Sequence, residues 1–145
     1  ELHSCSDLEG HLGHDGRFYL LDFARVAPPE PPFVRGANLY KMFRFEFVRW
    51  YTKPLCPDAF SMMGKHNYKE HCIDIMDAHK YFINTALPRA AIRLSERDEI
   101  PQRMVTPEIH RTGINCRYLG KMRQLVTPPK VKMALFLEAV IRTLK

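Results

Sequence analysis

The sequence lacks the features that mark membrane-spanning chains, disulfide-bonded secreted proteins and the commonest enzyme classes. No run of 18 apolar residues occurs, so no segment is expected to cross a membrane. No signal peptide is visible and none of the four cysteines belongs to a CxxC pair, which predicts reduced thiols in a cytosolic protein. GxSxG, P-loop and HExxH motifs are absent, so the chain shows no signature of those enzymes.

The composition that is present is that of an ordinary globular chain. Its 145 residues suit one domain or a large piece of one, and 46% of them are hydrophobic and 26% charged. The chain starts at Glu1 without a capping or turn signal, and its last apolar pattern reaches Lys145 without a stop signal. We therefore expect a fragment of a longer protein.

The chain is basic, with a net charge of +6 and an isoelectric point near 9.3. This charge permits attraction to nucleic acid or anionic lipid. The basic side chains are scattered, however, and no run of five occurs. The distribution favours a generally basic surface over a dedicated nucleic-acid groove.

Residues 7–24 predict a β-hairpin whose turn is His14-Asp15-Gly16. The return strand, residues 18–23, carries large apolar side chains on both faces, so we expect it to be covered on both sides. Asp22 would then lie at the end of a buried strand, which is unusual for a carboxylate.

A proline-rich stretch, PPEPPFVRG at residues 28–36, predicts an extended segment that crosses the surface. The remainder follows helical periodicity and is divided by prolines and by Gly113. The first expected helix runs from Asn38 to the residues before Pro54, and the second covers residues 58–63. The third covers 68–86 and ends at a break at Pro88, after which a shorter helix covers 89–97. The last three run from a Thr106 cap to Gly113, from an Asn115 cap onward, and from Pro129 to Lys145. The last helix is expected to bury Met133, Phe136, Leu137, Val140 and Leu144. The fold class is therefore α+β, a short β-hairpin or sheet edge at the N-terminus followed by a mainly helical body.

The hairpin holds many ionisable side chains within a few residues, namely Asp7, Glu9, His11, His14 and Asp15. Carboxylates could hold magnesium, and His3, Cys5, His11 and His14 could hold zinc. The spacing fits no closed zinc pattern. We therefore favour a solvated, hydrogen-bonded turn and expect no metal.

Asp22 stands in YLLDFAR, at the carboxyl end of an apolar strand. An aspartate in that position holds the nucleotide-bound metal in kinase-like folds. No glycine-rich phosphate loop precedes it and no HRD-type catalytic loop is visible. An ion pair with Arg17 or Arg25 is therefore favoured over a nucleotide site.

Two further segments combine basic residues with other signals. In HRTGINCRYLGK, residues 110–121, Arg117 and Lys121 lie one turn apart beside a helix start that can hold an anion, although a cap with a solvated basic face is favoured. In FRFEFVRWY, residues 43–51, aromatics alternate with arginines, as on surfaces that stack on single-stranded bases. At helical spacing these aromatics more often belong to the core, which is the interpretation we favour.

Four segments together resemble one known family. They are DLEGHLGHDGRFYLLDFARVAPPE (residues 7–30), LYKMFRFEFV (39–48), PLCPDAFS (54–61) and GINCRYLGK (113–121). The first resembles the signature segment of the Clu domain of clustered-mitochondria proteins, and the others are similar to downstream elements of that family. Phe45 stands where the family usually has proline, and Cys56 where it usually has serine.

The resemblance implies a cytoplasmic protein of eukaryotes that binds messenger RNAs for mitochondrial proteins and influences mitochondrial distribution. It implies that residues 1–35 are the C-terminal strands of a Clu domain with a proline-rich exit, and that residues 36–145 are its helical part and extension. It transfers no catalytic residues. We therefore expect a non-catalytic binding or scaffold module without cofactor, metal, small-molecule substrate or membrane insertion. Its expected partners are mRNA or ribonucleoprotein and other parts of a larger chain. The alternative is a kinase-like nucleotide- or phosphate-binding module with Asp22 as metal ligand.

Nine polar residues are expected to form the internal network of this module. Asp7, Glu9, His11, Asp15 and Arg17 would fix the hairpin. Asp22 and Arg25 would form a buried or half-buried pair, joined by Asn115 or Arg117. If so, Asp22→Ala should lower the melting temperature strongly.

Overall fold

The computed structural model describes residues 4–33, 35–61, 63 and 66–144. It contains one two-stranded antiparallel sheet and a mostly helical remainder, so the predicted α+β fold is confirmed. The strands are β1 (Glu9–Leu12) and β2 (Phe18–Leu21). The α-helices are α1 (Phe45–Trp50), α2 (Tyr68–Tyr81), α3 (Leu87–Ser95), α4 (Gln102–Arg111), α5 (Leu119–Leu125) and α6 (Pro129–Thr143). Among the described residues, no helix is both long and apolar enough to cross a membrane.

The chain divides into two compact units. The first comprises Glu1–Phe43 and Tyr51–His79, and the second comprises Arg44–Trp50 and Lys80–Lys145. The core of the first unit includes Cys5, Ala37, Phe43, Ala59 and Ile75. The core of the second includes Phe47, Phe82, Ile109, Met122 and Leu135.

The hairpin forms with the predicted turn, and Glu9 lies opposite Leu21 in its register. Gly16 has φ 75°, a conformation that glycine adopts without a steric penalty. The expectation that the return strand is covered on both faces is wrong for this chain. Every residue of β2 is exposed, with Phe18 82% accessible.

The proline-rich stretch does not run across the surface as predicted. Pro28, Pro29 and Glu30 are buried. The Phe43 N–H donates to the carbonyl of Pro28 at 2.9 Å, and the Glu30 N–H donates to the carbonyl of Lys41 at 2.7 Å. The Pro28 carbonyl and the Glu30 N–H thus pair with the backbone of residues 41–43, and this pairing buries the stretch in the first unit.

The helix predicted from Asn38 to the residues before Pro54 is divided into a 3₁₀ turn and α1, and the helix predicted over 58–63 is replaced by turns. Ala37–Leu39 is a single 3₁₀ turn that begins after Gly36, and Asn38 caps no helix but donates its side-chain N–H to the Phe60 carbonyl at 3.1 Å. The described part of 58–63 consists of turns, with Phe60 at φ 62°; Met62 lies outside the described residues. The positive φ at Phe60 is incompatible with helix continuation.

The predicted break at Pro88 does not occur. Helix α2 continues through a π-helical turn, Phe82–Ala86, directly into α3. Proline lacks an N–H and its ring clashes with the carbonyl four residues earlier in a regular α-helix. The wider π turn, in which the Leu87 N–H bonds to the Phe82 carbonyl, precedes the proline and lets the helix continue.

Helix α4 begins earlier than predicted, at Gln102, so Thr106 is not its cap and Pro107 lies inside it. Burial of Val105 and Ile109 stabilises the turn that precedes the proline. The predicted end at Gly113 is confirmed. At φ 78° this glycine allows the N–H groups of Gly113 and Ile114 to bond back to the carbonyls of His110 and Ile109, which is a Schellman motif.

The predicted buried face of α6 is wrong. Met133, Phe136, Leu137 and Leu144 are exposed, and Val140 is half-buried. The buried face consists of Val131, Ala134 and Leu135, in line with Glu138. Glu138 accepts hydrogen bonds from the side chains of Gln102 and Thr106 of α4, at 3.0 and 2.8 Å. These bonds let a helix with two apolar faces bury the one that contains a carboxylate.

Candidate functional site

Arg25 is the centre of an ion-pair cluster in the first unit, and only 7% of its surface is exposed. Its Nε donates to Asp7 Oδ2 at 2.7 Å, and its Nη2 lies 3.8 Å from Asp58 Oδ1. The same Nη2 lies 3.5 Å from the sulfur of Met63. Since a buried guanidinium requires compensating charge, the two carboxylates account for its position.

Asp58 also connects this cluster to the chain that precedes the hairpin. Its carboxylate accepts hydrogen bonds from the backbone N–H of Ser6 at 3.0 Å and from the Ser6 hydroxyl at 2.6 Å. Asp58 is buried, and Ala59 and Ser61 beside it are buried as well. The cluster therefore unites residues from three parts of the sequence, around Asp7, Arg25 and Asp58.

The charges in the cluster shift one another's protonation equilibria. The hydrogen bond from Arg25 lowers the pKa of Asp7, an effect that burial partly opposes. The same bond raises the pKa of Arg25. Burial, followed by the hydrogen bond with Asp7, raises the pKa of the Cys5 thiol. A thiol with a raised pKa is a weak nucleophile, so Cys5 has a packing role here.

The other hairpin residues named from the sequence lie at the surface. Asp15 accepts hydrogen bonds from the Tyr19 hydroxyl at 2.7 Å and from the Arg17 N–H at 3.1 Å. Glu9 Oε2 lies 2.9 Å from His11 Nε2. Exposed pairs of this kind contribute little to stability, although the Asp15 bonds define the shape of the turn.

The predicted pair between Asp22 and Arg25 is wrong. Asp22 is exposed and adopts φ 59°, and its Oδ1 accepts a long hydrogen bond, 3.4 Å, from the Ala24 N–H. This short-range contact is typical of an aspartate in a turn. Asp7 takes the place predicted for Asp22 because Asp7 is half-buried beside buried Arg25, whereas Asp22, just after β2, is exposed.

The described part of the chain holds no group of three or more His, Cys, Asp or Glu side chains arranged to bind a metal ion. His3, one of the four residues considered for zinc, lies outside that part.

Asn115 and Arg117 belong to the second unit, where they lie together. The Asn115 side chain accepts a hydrogen bond from the Arg117 N–H at 3.1 Å and so caps the 3₁₀ turn Cys116–Tyr118, as predicted. The charged groups of Arg117 and Lys121 each lie 5.9 Å from the centre of the Tyr118 ring. Arg123 lies 5.0 Å from the centre of the Phe136 ring. All three cations are exposed, with Arg123 on a different side of α5 from Lys121, and we call Arg117, Lys121 and Arg123 together the basic face.

Charge is distributed very unevenly between the two units. The second contains 15 lysine and arginine residues against six acidic residues, a net charge of +9. The first contains seven basic and ten acidic residues, a net charge of −3. The net positive charge of the chain therefore comes from the second unit. A count along the sequence already shows most of this asymmetry, since residues 1–79 carry a net charge of −2 and residues 80–145 a net charge of +8.

Sequence reasoning missed Asp58 and Ser6 as partners in the Arg25 cluster. The signal for Asp58 was available, since PLCPDAFS is one of the segments that resemble the family. It also missed His110, whose Nε2 lies 3.3 Å from the Cys116 sulfur. Burial lowers the pKa of His110. His110 and Cys116 are six residues apart, and no spacing rule joins them.

Two comparisons with known proteins bear on identity. The family model described as Clustered mitochondria (CLU) matches residues 1–33. A curated relative, the "Clustered mitochondria protein homolog" of Yarrowia lipolytica (strain CLIB 122 / E 150), is 28% identical over 153 aligned positions. That alignment covers 83% of this chain and 13% of the relative. No solved structure matches the chain. The resemblance carried by the motifs is therefore confirmed: residues 1–33 match the Clu family model, and most of the chain is similar to a short part of a clustered-mitochondria protein.

Proposed function

We propose that this chain is a non-catalytic binding module of a Clu-domain protein and that its second unit binds messenger RNA. In this role it works in the cytoplasm, within a ribonucleoprotein, and contributes to the organisation of mitochondria. The first unit acts as a scaffold, held together by the Arg25 cluster.

One observation carries the proposal, the concentration of positive charge in the second unit. A net charge of +9 within one compact unit attracts a polyanion more strongly than +6 spread over the whole chain. The basic face of Arg117, Lys121 and Arg123 is exposed and is anchored beside two aromatic rings. Cations fixed in this way can neutralise phosphates and release counterions.

The test is the salt dependence of binding to single-stranded RNA, measured by fluorescence anisotropy between about 50 and 200 mM salt. The affinity should fall steeply as salt rises. Changing Arg117, Lys121 and Arg123 together to glutamine should reduce the slope of log K against log salt by about 2, since each phosphate contact with a single strand contributes about 0.7.

A matched control removes the same charge from the first unit, through glutamine at Arg17, Arg35 and Lys69, all of which are exposed. This variant should keep most of the affinity and the slope. Binding that does not depend on salt, or equal losses in both triple variants, would contradict the proposal.

A further inference from the structure

A pocket of about 360 Å³ opens within the second unit. Its lining comes from α1, the end of α2, the π-helical turn, α3 and the end of α4. The lining residues are Trp50, Tyr81, Ala86, Arg89, Ala90, Arg93, Arg111 and Thr112. The volume lies at the lower end of the range typical of small-molecule sites, so the pocket suits a compact ligand.

Three guanidinium groups line the pocket and no carboxylate does. Arg89 and Arg93 are one turn apart on α3, and among the described residues neither pairs with an acidic side chain. Arg111 is held by Glu108, whose Oε1 lies 3.2 Å from it and also 3.2 Å from Arg97. One arginine is therefore anchored while two remain available for an anion.

The end of α4 is compatible with an anion in this place. The C-terminal carbonyls of a helix would normally repel negative charge. Here the carbonyls of Ile109 and His110 accept bonds from the Schellman motif, and the Thr112 hydroxyl donates to Ile109 as well, at 2.7 Å. These bonds reduce the repulsion between the two carbonyls and an anion bound in the pocket.

Two aromatic rings complete the lining. Trp50 and Tyr81 have ring centres 6.4 Å apart at an angle of 63°, so they do not stack on each other face to face. The edge of the buried Phe47 ring supports Trp50, with centres 5.0 Å apart. Trp50 nevertheless exposes 44% of its surface. A large, supported and exposed indole is suited to stacking on a planar base.

We propose that this pocket binds a nucleoside phosphate, with the phosphate held by Arg89 and Arg93 and the base stacked on Trp50. Arginine forks match phosphate oxygens in bidentate geometry, and aromatic rings accept any base. The ligand is either a free mononucleotide or the phosphorylated terminal nucleotide of an RNA. The second case rests on the RNA binding proposed for this unit, whereas the first stands independently of it.

Trp50 is the sole tryptophan of the chain and therefore reports directly on the pocket. Titration of the whole chain with adenosine 5′-monophosphate should quench its fluorescence in a saturable manner. Inorganic phosphate and adenosine, used as separate probes, should each bind at least about tenfold more weakly, because each lacks one half of the recognition. Inorganic phosphate that binds as tightly as the mononucleotide, or no saturable quenching by any mononucleotide or 5′-phosphorylated oligonucleotide, would overturn the proposal.

Variants test the assignment of the arginines. Arg89→Gln with Arg93→Gln should weaken binding of the mononucleotide about tenfold or more. The matched control, Lys69→Gln with Arg103→Gln, removes the same charge from exposed positions outside the pocket and should leave the affinity nearly unchanged. Because Arg89 and Arg93 are exposed, their variants should retain the helical circular dichroism of the parent chain. Equal losses in the two double variants would reject the pocket as the site.

The source of the ligand is decided by competition against the bound mononucleotide. A 5′-phosphorylated RNA oligonucleotide that competes better than its 5′-hydroxyl counterpart identifies an RNA end as the ligand. Equal, weak competition by both identifies a free nucleotide. RNA that binds through the basic face while no mononucleotide or phosphorylated end reaches Trp50 would reject the pocket and leave the proposed function standing. Saturable mononucleotide binding without any RNA binding would support the pocket and reject the proposed function.

Discussion

At the scale of single residues, burial separates two aspartates that look alike in the sequence. Asp22 and Asp58 both stand in segments that resemble the Clu family. Asp58 is buried beside Arg25 and Ser6, whereas Asp22 is exposed and bonds only weakly to its own turn. The energetic importance that the sequence suggested for Asp22 therefore belongs to Asp58 and Asp7.

We expect Asp58→Asn to lower the free energy of unfolding of the first unit by about 2–3 kcal/mol. The change removes a negative charge from buried Arg25 and places an amide N–H near the donors of Ser6. Thermal or urea denaturation followed by circular dichroism measures the loss. Asp22→Asn is the matched control, since it makes the same chemical change at an exposed position. It should stay within about 0.5 kcal/mol of the parent chain. A larger effect at Asp22 than at Asp58 would disprove this assignment.

The Asp7–Arg25 pair also predicts how stability depends on pH. The pKa of Asp7 is lowered in the folded chain from its ordinary value of 3.8. A carboxyl group with a depressed folded pKa binds fewer protons when folded, so its contribution is complete above that ordinary value. It is lost as the pH falls through the lower, folded pKa.

Denaturation measured from pH 7 down to about pH 2 should therefore show a steep acid limb that Asp7→Asn makes shallower. The variant should be less stable than the parent chain at neutral pH, and the two should approach each other in acid. Curves that remain parallel throughout would show that Asp7 does not gain stability from its pair.

At the scale of elements, the end of α4 illustrates how one residue satisfies two demands. Gly113 has φ 78°, and a Cβ atom added to it would lie 2.8 Å from the backbone nitrogen of Phe47. A side chain here would both strain the backbone and collide with α1. The Schellman motif and the approach of α1 therefore depend on the same glycine.

We expect Gly113→Ala to destabilise the second unit by about 3 kcal/mol, roughly 1–2 from the left-handed backbone and the rest from displacement of α1. Gly120→Ala is the control within the same unit. Gly120 lies on the exposed side of α5 with nothing within 4 Å of an added Cβ. Alanine there should stabilise the helix by about 0.5–1 kcal/mol. Thermal unfolding monitored by Trp50 fluorescence measures both changes, and equal effects of the two substitutions would contradict this explanation.

At the scale of the whole molecule, the two units differ most in charge. The net charge is −3 in the first and +9 in the second, and the assignment of residues 44–50 to the second unit changes each value by only one from the count along the sequence. The expected salt dependence of RNA binding belongs to this scale, since it counts neutralised phosphates over a surface and is insensitive to the detail of any contact.

Several features followed from local sequence patterns because short-range physics determines them. The hairpin turn requires a positive φ that Gly16 supplies, and the Asn115 cap bonds to an N–H two residues away. The end of α4 likewise depends on a positive φ that Gly113 supplies. The aromatics of residues 43–51 were expected in the core, and this holds for Phe43 and Phe47, whereas Phe45 and Trp50 are exposed and Phe43 precedes α1.

The features that were predicted wrongly involve a choice among long-range partners. Either face of α6 could have been buried, and the hydrogen bonds of Glu138 to α4 decided which. Arg25 had several carboxylates within reach in the sequence, and the packing of residues 56–61 supplied Asp58. A proline inside a helical pattern predicts a break, and the π turn that accommodates Pro88 leaves no signature in the local sequence.

By itself, the sequence determined the resemblance to the Clu family, the α+β class and the local turns and caps, since motif identity and backbone preference reside in neighbouring residues. Tertiary structure alone decided which carboxylates neutralise Arg25, which face of α6 is buried, and that Trp50, Arg89 and Arg93 line one pocket. These outcomes depend on contacts between residues tens of positions apart, and burial selects among such contacts only when the chain is folded.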